Sequence, residues 1–289
     1  MNFSENIVGN TKSFEIFTKE FNSNIDFLDD FSDLISFSGR MIYFFTDKKI
    51  HNISTTLLDN SVQTLKSIKL CCSIGSFADA NTLIRKLRDD LILYIYILDV
   101  VNNRTNSISD LKFDSNLTGD EKAVEAWLGN TVSELPNKIK MKLSFENYMK
   151  YLKQNDHITK TLENYNLEHY WETLRTKLND YVHNNGIQFT SHNLIRECNQ
   201  NLDIYLKNIN IRTSYIITLF LVLVIMTEAA LIASTDMIDH LECGLTPPED
   251  CQYEIAPFIQ DYIDKKVVAF HPELKQFLRD NNKYDMRIQ

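Results

Sequence analysis

One short segment of the chain combines the residue types that proton transfer beside a phosphate requires. Residues 175–186 read RTKLNDYVHNNG and carry Arg175 and His183 eight positions apart. An imidazole exchanges a proton near neutral pH, and a guanidinium can hold a phosphate through two parallel hydrogen bonds. On one helix the two residues are about 80° apart around the axis and about 12 Å apart along it, so both can face one broad surface. The alternative is structural: Arg175 forms surface ion pairs, and the ring of His183 packs against the helix end and caps it.

Other basic and amide side chains could take part in the same chemistry. Arg85 and Arg88 lie at the start of an apolar segment, where Arg85 shares a helix face with Arg88 and Asp89. If this helix lies beside the helix of Arg175, Arg88 could bind the phosphate; the alternative is an arginine–aspartate network that stabilises the bundle. The candidate catalytic residues are His183, Arg175 and Arg88, and the candidate substrate-binding residues are Arg85, Lys177, Asn179 and Asn184.

The elements that position these residues are predicted to be helices. Apolar residues recur every three to four positions through most of the chain, which is the period of an amphipathic helix. The spacing over residues 12–46 predicts one helix, or two helices divided by a break at residues 22–24. Residues 76–100 predict a long helix, with a final β-strand as the alternative, and the polar residues 102–120 predict a loop. Further helices are predicted over residues 54–74, 119–130, 143–154, 158–164, 167–185, 215–233 and 256–266, with a short helix after Pro272.

Length and composition favour one all-α domain. Of the 289 residues, 44% are hydrophobic, which is enough for a sizeable core. The 7 Gly and 5 Pro are too few for an all-β or a disordered chain. No linker divides the sequence cleanly. We therefore predict a helical bundle over residues 51–240, with an N-terminal helical arm over residues 1–50 and a C-terminal helical appendage over residues 241–289.

Several classes of function are disfavoured by what the sequence lacks. A net charge of −9 does not suit a non-specific nucleic-acid coat, which needs a basic surface. The sequence contains no G-x-x-x-x-G-K-[ST], G-x-G-x-x-G, G-x-S-x-G or H-E-x-x-H motif, so we predict no nucleotide cofactor and no metal. Five cysteines without a C-x-x-C pair indicate structural thiols, and residues 1–17 lack the pattern of a secretory signal. Both observations favour a cytoplasmic protein.

The densest apolar run, residues 215–233, has two interpretations. It is long enough to span a bilayer, and Glu228 is its one charged residue. A charge near the middle of a membrane costs about 2.5–3.5 kcal/mol on insertion scales. The amphipathic helices elsewhere in the chain also need an apolar partner. We therefore expect a central core helix, with a membrane anchor as the alternative.

The residues around His183 also resemble a known family. Segment 175–186 is similar to the last core helix of HEPN-superfamily proteins, which are all-α bundles of bacterial defence and toxin–antitoxin systems. The segment NTLIRKLRDDLILYIYIL, residues 81–98, looks like a bundle helix of bacterial HEPN-like proteins. The resemblance covers roughly residues 54–190. Here seven residues separate Arg175 from His183, one more than the family pattern allows, and five separate Lys177 from His183.

The resemblance implies a function and a site. In active HEPN ribonucleases an Arg and a His meet at a dimer interface, where the His handles a proton at the 2′-hydroxyl and the Arg neutralises phosphate charge. No metal takes part. For this chain the resemblance implies RNA as substrate, a homodimer, and these roles for His183 and for Arg175 or Arg88.

The functional expectation is therefore a HEPN-like protein of a bacterial antiviral defence or toxin–antitoxin system that cuts RNA without a metal. One alternative is a non-catalytic helical subunit that binds a partner protein from the same locus. Another is an effector anchored in a membrane through residues 215–233. A ribonuclease requires a basic cleft around its acid–base group despite the negative net charge of the chain, whereas a non-catalytic subunit does not.

Overall fold

The computed structural model describes residues 7–38, 42–46, 49–107 and 116–289, and these residues form an all-α fold with one two-stranded sheet. The predicted fold class is confirmed. The sheet consists of β1 (Ile42–Phe45) and β2 (Ile50–Ile53), and a π-helical turn covers Ile263–Val267. The helices are α1 (Lys12–Phe37), α2 (Thr56–Ser73), α3 (Phe77–Ser107), α4 (Gly119–Leu128), α5 (Asn137–Lys140), α6 (Phe145–Leu152), α7 (Asp156–Asn164), α8 (Leu167–Val182), α9 (Ile187–Ser191), α10 (Leu202–Glu228), α11 (Asp236–Glu242), α12 (Pro257–Tyr262), α13 (Val268–Phe270) and α14 (Leu274–Asn281).

Helix α1 runs unbroken through the residues at which the sequence predicted a possible break. Asn24 is fully buried, and its amide nitrogen donates to Ser214 Oγ at 3.0 Å and to Asn210 Oδ1 at 3.3 Å, both in α10. These partners satisfy a polar side chain that would otherwise favour a turn. At the start of the helix the Thr11 hydroxyl accepts from the Phe14 N–H and caps the first turn.

The prediction of helix up to residue 46 is wrong at its end, because residues 42–45 form strand β1. This strand pairs antiparallel with β2, with Ile42 opposite Ile53. Its sequence, IYFF, is aromatic and β-branched, a composition that suits a strand. The Arg104 side chain of α3 donates to the Phe45 carbonyl at 2.7 Å and attaches the hairpin to the bundle.

Two long helices at the centre of the bundle are buried along much of their length. Helix α3 contacts α2, α6, α8 and α10, and α10 contacts α1 and α3. Residues 91–98 of α3 are buried on every face, which explains an apolar run without a polar side. The helix predicted over residues 76–100 is confirmed, and the strand alternative is wrong. The helix continues to Ser107, through part of the predicted loop at 102–120, of which residues 108–115 lie outside the described residues.

Helix α10 contains most of the apolar run for which two interpretations were open. With the 3-10 turn that follows, Leu202–Ile232 is the one segment among the described residues that is long and apolar enough to cross a membrane. In this fold 89% of an apolar 18-residue stretch of this segment is buried inside the protein. The Glu228 carboxylate accepts from Asn102 Nδ2 at 3.0 Å and from Lys283 Nζ at 3.3 Å, so its charge is paired within the protein.

The two ends of the chain pack on the same core as the central helices. Phe31 of α1 and Ile259 of α12 belong to one continuous cluster of buried apolar residues with Leu58 of α2. Phe27 of α1 stacks on Tyr262 of α12, with 3.8 Å between ring centres. The predicted arm, bundle and appendage thus contribute to one hydrophobic core.

Candidate functional site

The arginine that was predicted to hold a phosphate, Arg88, is buried in the bundle. Only 1% of its surface is exposed. Its Nε and Nη2 donate to Asp89 Oδ1 at 2.8 and 2.6 Å, and its guanidinium carbon lies 4.0 Å from the ring centre of Phe145. Burial lowers the pKa of Arg88, while the charge of Asp89 acts in the opposite direction. These contacts match the arginine–aspartate network that the sequence left as the alternative.

Arg175 and Arg85 lie in the same region as Arg88, because α8 packs against α3. Arg175 forms ion pairs with Glu146 and Glu172, each at 3.1 Å. Arg85 Nε lies 3.8 Å from the carboxylate that Arg88 also uses. Each of these arginines therefore already has a carboxylate partner, and a phosphate would have to compete with it.

His183 lies at the C-terminal end of α8, where its backbone N–H donates to the Asn179 carbonyl at 3.0 Å. Its side chain is exposed. Asn184 follows in the left-handed region, with φ of 49°, and turns the chain away from the helix. Among the contacts of the described residues, none joins the side chain of His183 to Arg88 or Arg175.

A groove between α8 and α10 contains a more complete set of side chains. It consists of two cavities, of about 180 and about 380 Å³, which share Lys177 of α8 and Arg212 of α10. We name the smaller one the histidine cavity and the larger one the aromatic cavity. None of the described residues that line either cavity is acidic. The histidine cavity is lined by Phe77, Asn81, Lys177, Tyr181, Phe189, His192, Tyr205, Asn208 and Arg212.

His192 is the histidine that lines the histidine cavity. Its Nδ1 lies 3.1 Å from the Tyr181 hydroxyl oxygen, and its ring packs edge-on against Tyr205 with 5.0 Å between ring centres. Partial burial lowers the pKa of His192 below its ordinary value, and the positive charges of Arg212 and Lys177 lower it further. The imidazole is therefore neutral at neutral pH, which is the form that accepts a proton.

Within the part of the chain that the structure describes, no carboxylate pairs with either cation of the groove, Lys177 or Arg212. Arg212 Nη1 donates to the buried amide oxygen of Asn81, and its guanidinium carbon lies 5.8 Å from the ring centre of Tyr181. Lys177 is exposed on α8. Among the described residues, neither Lys177 nor Arg212 forms an ion pair. Two such cations beside a neutral imidazole suit an anionic ligand such as a phosphate group.

The loop that carries His192 is fixed to the start of α3. The His192 carbonyl accepts from the Phe77 N–H at 2.9 Å. The neighbouring Asn193 Oδ1 accepts from the N–H groups of Ala78 and Asp79, at 2.9 and 3.1 Å. Asn193 therefore caps the N-terminus of a helix that begins more than a hundred positions earlier, where N–H groups lack partners within the helix.

The turn between α2 and α3 leaves room for the same loop. Gly75 has a φ of 77°, which is in the left-handed region. A Cβ at this position would come within 2.0 Å of the Ile195 carbonyl oxygen. Both the backbone conformation and the close approach of the loop therefore require glycine here.

We expect Asn193→Ala to lower the free energy of unfolding by about 1–2 kcal/mol, because two N–H groups at the start of α3 lose their acceptor. Urea denaturation followed by circular dichroism measures this change. Asn164→Ala, at an exposed position at the end of α7, is the matched control. A loss of stability no larger than that of the control would contradict the capping role of Asn193.

The sequence pattern identified one residue of the groove and missed the others. Lys177 was a predicted substrate-binding residue, and it lines both cavities. His192, Tyr181 and Arg212 were not predicted, because they lie on three separate elements that only the fold brings together. One feature of the sequence could have indicated His192 as a candidate site residue. It lies in a polar stretch between two helices, where binding and catalytic residues are common.

The reaction type of the groove is indicated neither by a metal site among the described residues nor by a matching protein of known function. Among the described residues, no group of three or more His, Cys, Asp or Glu side chains is placed to hold a metal ion. The function is therefore inferred from the side chains of the groove and their surroundings. Comparison with protein-family models, with curated proteins and with solved structures gave no match to this chain.

Proposed function

We propose that the chain is a metal-independent ribonuclease whose active site is the groove between α8 and α10. The observation that supports this proposal is the His192–Tyr181 pair in one cavity with two cations, Lys177 and Arg212, for which the described residues provide no carboxylate partner. Such a set can move a proton and stabilise phosphate charge. The resemblance of residues 54–190 to HEPN proteins favours RNA among the possible phosphate substrates.

Each of these side chains has a role in cleavage next to a ribose 2′-hydroxyl. His192 accepts the 2′-hydroxyl proton as the 2′-oxygen attacks phosphorus. Arg212 neutralises the charge that develops on the phosphate oxygens. The bond from phosphorus to the 5′-oxygen breaks, and this oxygen takes a proton from the Lys177 ammonium, which gives a 2′,3′-cyclic phosphate and a 5′-hydroxyl. The Tyr181 hydroxyl at Nδ1 orients the imidazole and leaves Nε2 for the substrate.

We favour the groove over the residues near His183 for this chemistry. Arg88 is buried and Arg175 is paired with two carboxylates. No contact recorded for the described residues joins the His183 side chain to either arginine. The proposal keeps the reaction that the HEPN resemblance implies and assigns it to other residues. A bacterial defence or toxin–antitoxin setting, a partner from the same locus and a homodimer belong to the proposal on the strength of that resemblance alone.

The test of the phosphate-binding role is Arg212→Gln. Each cation that binds a phosphate of a single strand contributes about 0.7 to the slope of log affinity against log salt concentration. We therefore expect this variant to bind RNA more weakly at low salt and to show a slope that is smaller by about 0.7. Fluorescence anisotropy with a labelled RNA decamer at several salt concentrations measures both quantities.

Two further variants test whether the change in salt dependence comes from the charge of Arg212 in the groove. Arg212→Lys keeps the charge and should retain most of the slope. Arg279→Gln removes an exposed arginine of α14 outside the groove and should leave the slope unchanged. If Arg212→Gln and Arg279→Gln gave the same slope as the native chain, the groove would not be the RNA site.

A second candidate function, a helical subunit that binds a partner protein, is favoured by a group of exposed apolar side chains. Leu70, Ile74 and Leu194 are each more than half exposed, and the loop of Leu194 contacts the turn that follows Ile74. Exposed apolar patches often mark protein interfaces. For such a subunit, replacing His192 by glutamine would leave the biological activity unchanged, which separates this candidate from the first.

A further inference from the structure

The aromatic cavity shares Lys177 and Arg212 with the histidine cavity and belongs to the same groove. Its volume, about 380 Å³, lies within the range of about 300–1000 Å³ found for small-molecule sites. Rings from three elements line it: Tyr170 from α8, Tyr215 from α10, and Phe270 and His271 from the segment that ends α13.

These rings form one connected group. Tyr170 lies 5.7 Å from His271 and 6.0 Å from Tyr215, and Tyr215 lies 5.5 Å from Phe270, measured between ring centres. Tyr215 is held by its hydroxyl, which donates to the Leu167 carbonyl at 3.1 Å. Tyr170 is 52% exposed at the rim of the cavity, where a ligand can reach its ring.

The ligand that suits this cavity has a planar ring next to a negative charge. Aromatic side chains provide faces on which a nucleobase of any sequence can stack. Lys177 and Arg212 at the shared edge provide the charge that a phosphate needs. A base in a duplex is covered on both faces by its neighbours, so only an unpaired nucleotide can place its base in the cavity.

We propose that the aromatic cavity binds the unpaired base of the nucleotide whose phosphate lies between Lys177 and Arg212, so that the substrate is single-stranded RNA. This inference rests on the proposed function, since it assumes that the phosphate at the two cations belongs to RNA. The histidine cavity then receives the ribose–phosphate linkage, and the aromatic cavity selects single strands without reading their sequence.

The test uses an RNA decamer with 2′-O-methyl sugars, which lacks the attacking hydroxyl and therefore reports binding without cleavage. We expect Tyr170→Ala to weaken binding of the single-stranded decamer by roughly 5- to 150-fold, which is the range for loss of one stacked base. Tyr170→Phe keeps the ring and should bind as the native chain does. Tyr253→Ala, at a partly exposed tyrosine outside the groove, is the control.

Two more ligands distinguish the contribution of the base to binding from that of the sugar–phosphate backbone. An abasic decamer should bind the native chain and Tyr170→Ala equally, because it has no base to stack. A duplex of the same sequence should bind the native chain more weakly than the single strand. Fluorescence anisotropy under one salt condition measures all of these affinities.

The inference and the proposed function fail in different ways. If Tyr170→Ala binds the decamer as Tyr253→Ala does, while Arg212→Gln still weakens binding, the base does not enter the aromatic cavity and the proposed function stands. Equal affinity of the native chain for duplex and single strand also overturns the inference. If the native chain binds no decamer, both are overturned.

Discussion

A chain in which His192 is replaced by glutamine is expected to bind RNA as the native chain does and to cut it roughly 10²–10⁴-fold more slowly, the usual contribution of a general acid–base group. Glutamine can still contact the Tyr181 hydroxyl, so the loop should keep its position. The measurement is the single-turnover rate on a labelled RNA, with binding checked by anisotropy. His157→Gln, at an exposed histidine at the start of α7, controls for the loss of a histidine elsewhere.

The pH profile gives a second readout of the same residue. Partial burial and two neighbouring cations lower the pKa of His192 from its ordinary value of 6.5, and only the neutral imidazole accepts a proton. Activity should therefore rise with pH, and the midpoint of this rise should lie below pH 6.5. In Arg212→Gln the midpoint of the remaining activity should shift to higher pH, because the loss of one of the two cations raises the pKa of His192. A limb above 6.5 in the native chain would contradict a neutral His192.

The largest expected effect on stability belongs to Phe220→Ala in α10. Phe220 is fully buried, 5.8 Å from the ring centre of Phe31 and 6.3 Å from that of Tyr94. Replacing it leaves a cavity between α1, α3 and α10, so the free energy of unfolding should fall by about 3–5 kcal/mol. Urea denaturation of the full chain followed by circular dichroism measures the loss.

The matched control is Ile204→Ala on the same helix, at a side chain that is 57% exposed. It should change the free energy of unfolding by less than about 0.5 kcal/mol. Equal effects of Phe220→Ala and Ile204→Ala would contradict the central position of α10. Such a result would instead fit a helix whose apolar surface faces a partner outside this fold.

The helices were predictable where an apolar period of three to four residues decides the structure. Residues 167–185 and 54–74 follow this period, and α8 and α2 lie close to the predicted bounds. Strand β1 at residues 42–45 could not be predicted from this period, because β-branched and aromatic residues occur in buried helices as well as in strands. The unbroken course of α1 depends on Asn24, whose polar side chain is satisfied by α10, some 190 positions later in the chain.

The candidate site was less predictable than the fold, because its residues meet only through tertiary packing. The sequence motif placed His183 at the end of a helix correctly, but the motif contains no information on the carboxylates that meet Arg175 or on the burial of Arg88. His192 is positioned by Asn193, which caps a helix more than a hundred residues earlier. Local spacing cannot show such a contact.

The most direct test of the central claim is cleavage of an RNA of defined sequence in excess EDTA by the native chain, His192→Gln and His183→Gln, with the product ends identified by mass spectrometry. We predict that the native chain gives 2′,3′-cyclic phosphate and 5′-hydroxyl ends without a metal, and that His192→Gln gives almost none. Cleavage by His192→Gln at the native rate would contradict the claim. Loss of cleavage in His183→Gln alone would place the active site at the end of α8 instead of in the groove.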